Sequence, residues 1–481
     1  MKRPPNVLWI CTDQQRGDTI HALGNEHIRT PNLDRLCSEG VAFTRAYCQS
    51  PICTPSRASF LTGVYPSRLP ANLNGNARMN LPEGVRLITR LLADEGYDCG
   101  LAGKLHVASA WNGVEERVDD GYRRFWYSHA PCQGIGEGNQ YTDWLESIGR
   151  LDEALDRSGW DPERHGGARY RADVPRELHQ TTWCCDRAIE FMREPRDCPW
   201  LMSVNIFDPH PPYDAPRAYA ERYEPSELPP PDFRESDLAV QQRISRTHCF
   251  QSPQPRVPGE VGQRNRASYY GMIELIDENV GRLLDALDRS TQRENTVVVY
   301  MSDHGNMIGD HGLNAKGCRF YEGLVRVPLI VSWPERVRRG FVFEGLTELT
   351  DVAPTLAEVA GAAMHPCDGR SLVPVLCGDA DSTGREHVRT EFYDALDMDF
   401  GKADRAPHQP SFATMTMDER YKLVAYHRAD WGELYDLELD PGEHDNLWDN
   451  PRFAEIKVRL SGVMEKSAPV TIDTTERTGR Y

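Results

Sequence analysis

The chain has 481 residues, 39% hydrophobic and 27% charged, which is ordinary for a soluble globular protein and long enough for one large core plus a smaller domain. A formal net charge of -18 lacks the basic footprint that nucleic acid or an anionic membrane requires, so neither is expected as a partner and any anionic substrate must be met by local cations. Thirteen cysteines without regular spacing suit a reducing compartment; the opening MKRPPNVLWICTD shows no small-residue cleavage site and no later run reaches membrane-spanning length, so a cytoplasmic location is expected.

Asn6 to Thr12 is a continuous apolar run, which predicts a strand buried on both faces of a parallel sheet, and it ends in Asp13, Gln14 and Gln15. Thr30-Pro31 opens a helix over Asn32 to Glu39, and Val41 to Tyr47 predicts a further strand. That strand leads into Ser50 to Gly63, SPICTPSRASFLTG. Thr54, Pro55 and Ser56 are cap and first-turn residues there, and Ala58, Phe60 and Leu61 suit a helix docked on a core and ended by Gly63. Cys53 therefore sits at a helix N-terminus, where unpaired N–H groups and the positive end of the dipole favour an anion. Arg57, one turn in, adds a planar fork of donors for an oxyanion. The pattern is that of a nucleophile with an oxyanion binder, although a buried structural cysteine beside a surface arginine satisfies the same letters. The three residues between Cys53 and Arg57 are too few for a thiolate-phosphatase loop.

A helix is predicted over Leu81 to Glu95, and a short strand, Asp98 to Ala102, delivers Gly103, Lys104, Leu105 and His106. From Trp111 to Leu178 the pattern weakens and reads as an excursion over the mouth of a site. Helix His179 to Arg193, in which Cys184 and Cys185 read as packing, precedes strand Trp200 to Phe207 and the turn Asp208-Pro209-His210-Pro211-Pro212-Tyr213. Pro-rich sequence to Pro258 reads as irregular surface, a lid or a subunit contact. The helix Asn265 to Leu287 then leads to strand Thr296 to Met301, which ends in Ser302-Asp303-His304-Gly305.

Four apolar runs thus finish in Asp13, in Lys104 with His106, in His210, and in Asp303 with His304, alternating with helices as in a parallel α/β sheet. Ligand sites in such sheets lie beyond the carboxyl ends of the strands. Each residue alone has a plainer reading, as a turn, a solvated amine or a packed loop histidine; arrival at one edge, beside the cysteine helix, is what makes them a site.

Further on, Leu324 to Trp333 predicts a strand, Leu349 to Val359 a helix, and Cys377-Gly378-Asp379 the start of a polar link. His387 to Tyr393, Ala413 to Met417, Tyr421 to His427 and Glu433 to Leu437 alternate in period two and predict a small antiparallel sheet. A closing helix over Arg452 to Lys466, with Phe453, Ile456, Leu460 and Val463 at helical spacing, should pack on it. The fold class expected is α/β, a large, mixed, mostly parallel sheet between helices, with a catalytic domain over 1–376 and a smaller C-terminal α+β unit over 377–481.

Cys-x-Pro-Ser-Arg followed by Ala-Ser-Phe-Leu-Thr-Gly resembles the signature of the type I sulfatases, part of the alkaline phosphatase superfamily. The resemblance extends in order through Asp13 and Gln14, Gly103-Lys104-Leu105-His106, Asp208-Pro209-His210, Asp303-His304-Gly305, Gly309-Asp310-His311-Gly312 and Lys316, to WGELYDLELDPGEHDNL at Trp431 to Leu447. It implies an alkaline phosphatase-like fold, oxidation of Cys53 to formylglycine by a formylglycine-generating maturation enzyme, and a divalent cation held by Asp13, Gln14, Asp303, His304 and the modified Cys53. By the same resemblance Arg57, Lys104 and Lys316 bind the sulfate and nucleophile, His210 protonates the leaving group, and His106 takes the proton whose removal collapses the hemiacetal. The implied activity is hydrolysis of an aryl, small alkyl or sugar sulfate ester.

Gln14 stands where most sulfatases have a second aspartate, and His304 where many have asparagine, a combination that resembles the choline-sulfatase and phosphonate monoester hydrolase branches. Calcium is the ion expected from the family; a nitrogen ligand suits manganese or zinc better. Ser56 fits the sulfatase signature. The alternatives are a phosphonate monoester or phosphodiester hydrolase on the same scaffold, and an inactive metal- and anion-binding homologue, which the filled charged positions argue against. Tyr213, Trp111 and Arg319 lie in loops beside the motifs and are candidate rim residues, Tyr213 among the substrate contacts with Lys104, His210 and Lys316. The Pro-rich excursion and the C-terminal tail are candidate contacts of a homo-oligomer.

Overall fold

Along Asn6–Thr12 side chains alternate between two cores. Val7, Trp9 and Cys11 join one hydrophobic cluster, and Leu8 and Ile10 join the other, as period-two geometry demands of a strand covered on both faces. This strand lies inside an eight-stranded sheet of the computed structural model, ordered Phe341–Phe343, Val41–Phe43, Leu329–Ser332, Thr296–Ser302, Asn6–Thr12, Trp200–Asn205, Asp98–Gly103, Arg124–Tyr127. All pairings are parallel except those made by Leu329–Ser332. The structure describes residues 4–70, 81–108, 110, 114–131, 138–155, 174–245, 259–379, 382–393, 395, 412–427 and 429–466.

Phe60 and Leu61 of the helix Cys53–Thr62 pack on the Trp9 face, and Leu283 and Leu284 of the helix Gly259–Arg289, with Phe191 of Gln180–Arg193, pack on the Leu8 face. Both layers are thus sealed by apolar burial, roughly 1.5–3 kcal/mol for each large aliphatic side chain. Among the described residues no helix is long and apolar enough to cross a membrane.

Several boundaries differ from the sequence expectation for identifiable reasons. Val41 to Tyr47 divides into Val41–Phe43 in the main sheet and Ala46–Tyr47 in a three-stranded sheet with Arg326–Val327 and Thr347–Glu348. The helix expected over Leu81 to Glu95 is helical only at Ile88–Asp94, because Pro82 and Gly84 form a turn with Gly84 at φ +81°. The strand expected over Leu324 to Trp333 is a helical turn, Glu322–Val325, followed by strands broken at Pro328, which has no N–H to donate. The excursion after Trp111 contributes Arg124–Tyr127 to the sheet edge, and the Pro-rich stretch contains the helices Arg217–Ala220 and Glu235–Ser245. Residues 246–258 and Trp111 lie outside the described residues.

The C-terminal strands Val388–Tyr393, Phe412–Met417, Tyr421–Tyr426 and Gly432–Asp436 form an antiparallel sheet in chain order. The helix Ala454–Lys466 buries Leu460 and Met464 against Leu423 and Leu434. This sheet reaches the catalytic layer directly: Glu391 N–H donates to the Gln49 carbonyl at 2.8 Å and Thr390 Oγ1 to the Cys48 carbonyl at 2.6 Å. The segment entering the cysteine helix is therefore held from the C-terminal side.

Candidate active site

Neighbouring strand ends are tied to one another by backbone. Asp13 N–H donates to the Asp208 carbonyl at 3.1 Å, Asp303 N–H to Thr12 at 3.2 Å, and Lys104 N–H to Asn205 at 3.0 Å. Gly103 permits the last approach: its φ is +107°, and a Cβ there would stand 1.9 Å from the Asn205 oxygen. The four motif-bearing ends consequently meet at one crevice, beside the N-terminus of the Cys53–Thr62 helix.

Cys53 is the first residue of that helix, with Ile52 at the N-cap and Gly63 in the left-handed C-cap, so Thr54, Pro55 and Ser56 lie within the first turn. Cys53 Sγ accepts from Lys316 Nζ at 2.6 Å and lies 3.2 Å from His304 Nε2 and 3.6 Å from Asp13 Oδ1. Burial pushes the thiol up and Asp13 adds to it, but Lys104, Lys316 and His304 outweigh them and the net shift is downward. Position 53 is built to carry negative charge.

Arg57 is fully buried rather than at the surface. Its Nε donates to Asp303 Oδ2 at 2.9 Å, one Nη to the Lys104 carbonyl at 3.0 Å and the other to Asp13 Oδ2 at 3.4 Å, so the planar fork fixes two carboxylates and a strand end together. Lys104 Nζ donates to Asp13 Oδ2 at 2.6 Å. Against burial, Lys104, His210 and Arg57 hold the Asp13 carboxyl well below the usual carboxylate range. Ser56 Oγ donates to the Asp303 carbonyl at 2.6 Å.

Ligand atoms of Asp13, Cys53, Asp303 and His304 all lie within 4.8 Å of one another. His304 Nδ1 faces the Gly305 carbonyl at 2.9 Å, which fixes the proton there and leaves the Nε2 lone pair directed at the cluster. Burial opposes protonation of His304, whereas Asp303 and Cys53 raise it; a cation would compete with a proton for Nε2. Two carboxylates, one imidazole and the position-53 group thus fit a divalent cation. Gln14 stands beside them in the left-handed region, φ 67°, with its N–H on Asp303 Oδ1 at 3.1 Å and its side-chain oxygen accepting from Asn306 Nδ2 at 2.8 Å.

His210 Nδ1 faces the Pro211 carbonyl at 2.6 Å, and Nε2 lies 3.4 Å from Lys316 Nζ. Burial and the Lys316 ammonium lower His210 well below the ordinary imidazole value. His106, with φ 55°, packs edge-to-face on His129 at 4.5 Å between centroids, and burial and Lys104 lower both rings. Tyr213 is buried with its hydroxyl against Asn306 at 3.1–3.3 Å, and Arg319 is buried with Nε on Gln241 at 2.7 Å.

Two supporting residues fall outside the motifs. The Glu115 carboxylate accepts from the N–H groups of His106, Val107 and Ala108 at 2.6, 2.6 and 2.7 Å, pinning the turn that carries His106. It sits in a stretch without periodicity, so the sequence offers no signal for it. Asn306 orients Gln14 and Tyr213, and its place directly after Asp303-His304-Gly305 is the one local sign of that role.

Residues 5–362 match the sulfatase family, and residues 309–469 match the C-terminal family described as N-sulphoglucosamine sulphohydrolase, C-terminal. The chain belongs to the sulfatase family, and the site is that of a sulfuric ester hydrolase. It is 30% identical to an arylsulfatase of Clostridium perfringens over 94% of this chain and 92% of that protein. It is also 30% identical to a choline-sulfatase of Rhizobium meliloti, over 93% of this chain and 83% of the relative. The solved phosphonate monoester hydrolase of Agrobacterium radiobacter superposes with a TM-score of 0.79 at 27% identity, over 99% of this chain and all of that one. The α/β architecture expected from the strand pattern is the alkaline phosphatase-like fold of these proteins.

Proposed function

We propose that this hydrolase cleaves a small organic sulfate monoester by covalent catalysis at position 53, with Cys53 matured to formylglycine and a divalent cation held by Asp13, Gln14, Asp303 and His304. The observation that carries this reading is the position-53 side chain lying at a buried helix N-terminus, 2.6 Å from Lys316 Nζ and within the cluster of metal-ligating atoms. The aldehyde hydrate and the cation supply a deprotonated oxygen nucleophile and a fixed positive charge.

The chain's own residues do the rest. Lys104, Lys316 and Arg57 bring three cations to the crevice; Lys104 and Arg57 keep Asp13 ionised, and Arg57 holds Asp303 in place. Fixed charge of this kind, aimed at the transferring oxygens, usually contributes more to the rate of such reactions than any other single effect. With His210 neutral, its Nε2 facing the Lys316 ammonium, the proton for the leaving oxygen is held by the Lys316–His210 pair. His106, kept neutral by burial and Lys104, accepts the proton that frees the product. The His304 nitrogen supports manganese or zinc over calcium.

A second reading, phosphonate monoester or phosphodiester hydrolysis at the same site, is favoured by Gln14 and His304 in the cation cluster and by the likeness to the Agrobacterium enzyme. Free thiols at the ten described cysteines other than Cys53 support a reducing compartment. The test is the mass of the tryptic peptide Ala46 to Arg57 from active protein, with turnover of nitrophenyl sulfate compared with phenylphosphonate esters at matched metal. An unmodified thiol in fully active protein would refute the formylglycine mechanism.

A further inference from the structure

Away from the strand ends, Asp237 of the helix Glu235–Ser245, His311 of the turn after Gly309, and His444 of the loop after Gly432–Asp436 come together from three distant segments. All three are buried, and one ligand atom from each lies within 4.8 Å of the others. His444 Nδ1 is 2.9 Å from Asp237 Oδ1, and His311 Nδ1 is 3.4 Å from Asp237 Oδ2. The second nitrogen of His444, Nε2, is 3.0 Å from Asp232 Oδ1. His311 Nδ1 nevertheless makes no hydrogen bond of acceptable geometry, and a buried polar atom left so costs about 1–3 kcal/mol.

We propose that Asp237, His311 Nδ1 and His444 Nδ1 form a second divalent-cation site of the zinc class, separate from the strand-end cluster. Two imidazoles and a carboxylate are a borderline donor set that suits zinc, whose bonds to such atoms run about 2.0–2.2 Å. The surroundings match those of a metal ligand shell. Asp232 stands behind His444 as the carboxylate that takes the proton of a ligating imidazole, and the Arg234 N–H, on Asp237 Oδ2 at 2.9 Å, orients the ligating carboxylate. Asp232, His311 and Glu443 line a cavity of about 490 Å3, so the cluster is approached from solvent on its His311 side.

The site staples the C-terminal loop around His444 to the loop that carries Lys316, five residues after His311. Without an ion, the same side chains would form a salt-bridge clamp in which a protonated His444 sits between Asp237 and Asp232. The two arrangements are distinguishable in the full-length protein. Chains stripped with EDTA, loaded with zinc and passed through gel filtration are assayed for metal content, with cobalt substitution read by its visible spectrum. Asp303→Ala, which removes a ligand of the strand-end cluster, retains the second zinc. His444→Gln and His311→Gln, in that background, each lose one equivalent per chain. Asp232→Asn, which keeps the ligands, weakens zinc binding about 10–100-fold and serves where the histidine variants fail to fold. Zinc content unchanged by His444→Gln, or Asp232→Asn protein with native affinity, or no stoichiometric zinc in the Asp303→Ala chain, overturns the site in favour of the clamp.

Discussion

Replacing Glu115 by alanine tests whether the His106 turn is held from a distance by one carboxylate. The substitution leaves three buried N–H groups, those of His106, Val107 and Ala108, without the acceptor they now have at 2.6–2.7 Å. Each orphaned donor costs about 1–3 kcal/mol, and because neighbouring losses do not add, the three together are expected to cost about 3–5 kcal/mol. Hydrogen exchange of peptides spanning Lys104 to Ala108, corrected for intrinsic rates, should then show protection reduced about 10^2- to 10^4-fold near pH 5. The pH dependence has a definite sign. Burial raises the Glu115 carboxyl from 4.5 to about 7 against the pull of its three N–H donors. A group raised in the folded state contributes most below its unfolded value, so its advantage over alanine shrinks as pH rises from about 4.5 through about 7, by about 3 kcal/mol in all. Protection in Glu115→Ala equal to wild type at pH 5, or a difference that widens towards pH 8, would refute the reasoning. The kcat/KM of the variant should fall with the loss of protection, since Lys104 and His106 share the turn.

Three further outcomes follow from the site. His210→Gln should lower kcat for alkyl sulfates by about 10^2–10^4, with a much smaller loss for nitrophenyl sulfate, whose leaving group needs no proton, whereas Lys316→Met, which also removes a cation from the transferring oxygens, should lower turnover of both; equal losses across leaving groups in His210→Gln would remove that residue from proton delivery. EDTA should abolish turnover, with manganese or zinc restoring it better than calcium in wild type, and His304→Asn should move that preference towards calcium, read by metal titration of activity. Ser56→Ala strips the 2.6 Å donor from the Asp303 carbonyl and should destabilise the chain by about 1–3 kcal/mol in chemical denaturation, without changing the leaving-group dependence.

Asp13, Lys104, His210 and Asp303 are legible in the chain alone because a buried parallel strand must be a nearly unbroken apolar run, so the polar residues just after it are marked as crevice residues. Cys53 and Arg57 are legible through local helix-start chemistry and the C-x-P-S-R spacing. Folding adds what depends on residues far apart in the chain: Arg57 is interior and joins Asp13 to Asp303, Lys316 lies 2.6 Å from Cys53, and His210 is kept neutral beside it. Only the folded chain shows that Glu115, from a stretch without pattern, holds the His106 turn, and that Tyr213 turns inward to Asn306. One cause underlies all of these. Periodicity and capping are local free energies written into neighbouring residues, whereas a hydrogen bond or ion pair across the crevice depends on which strand ends the sheet brings side by side, and no short stretch of sequence records that order.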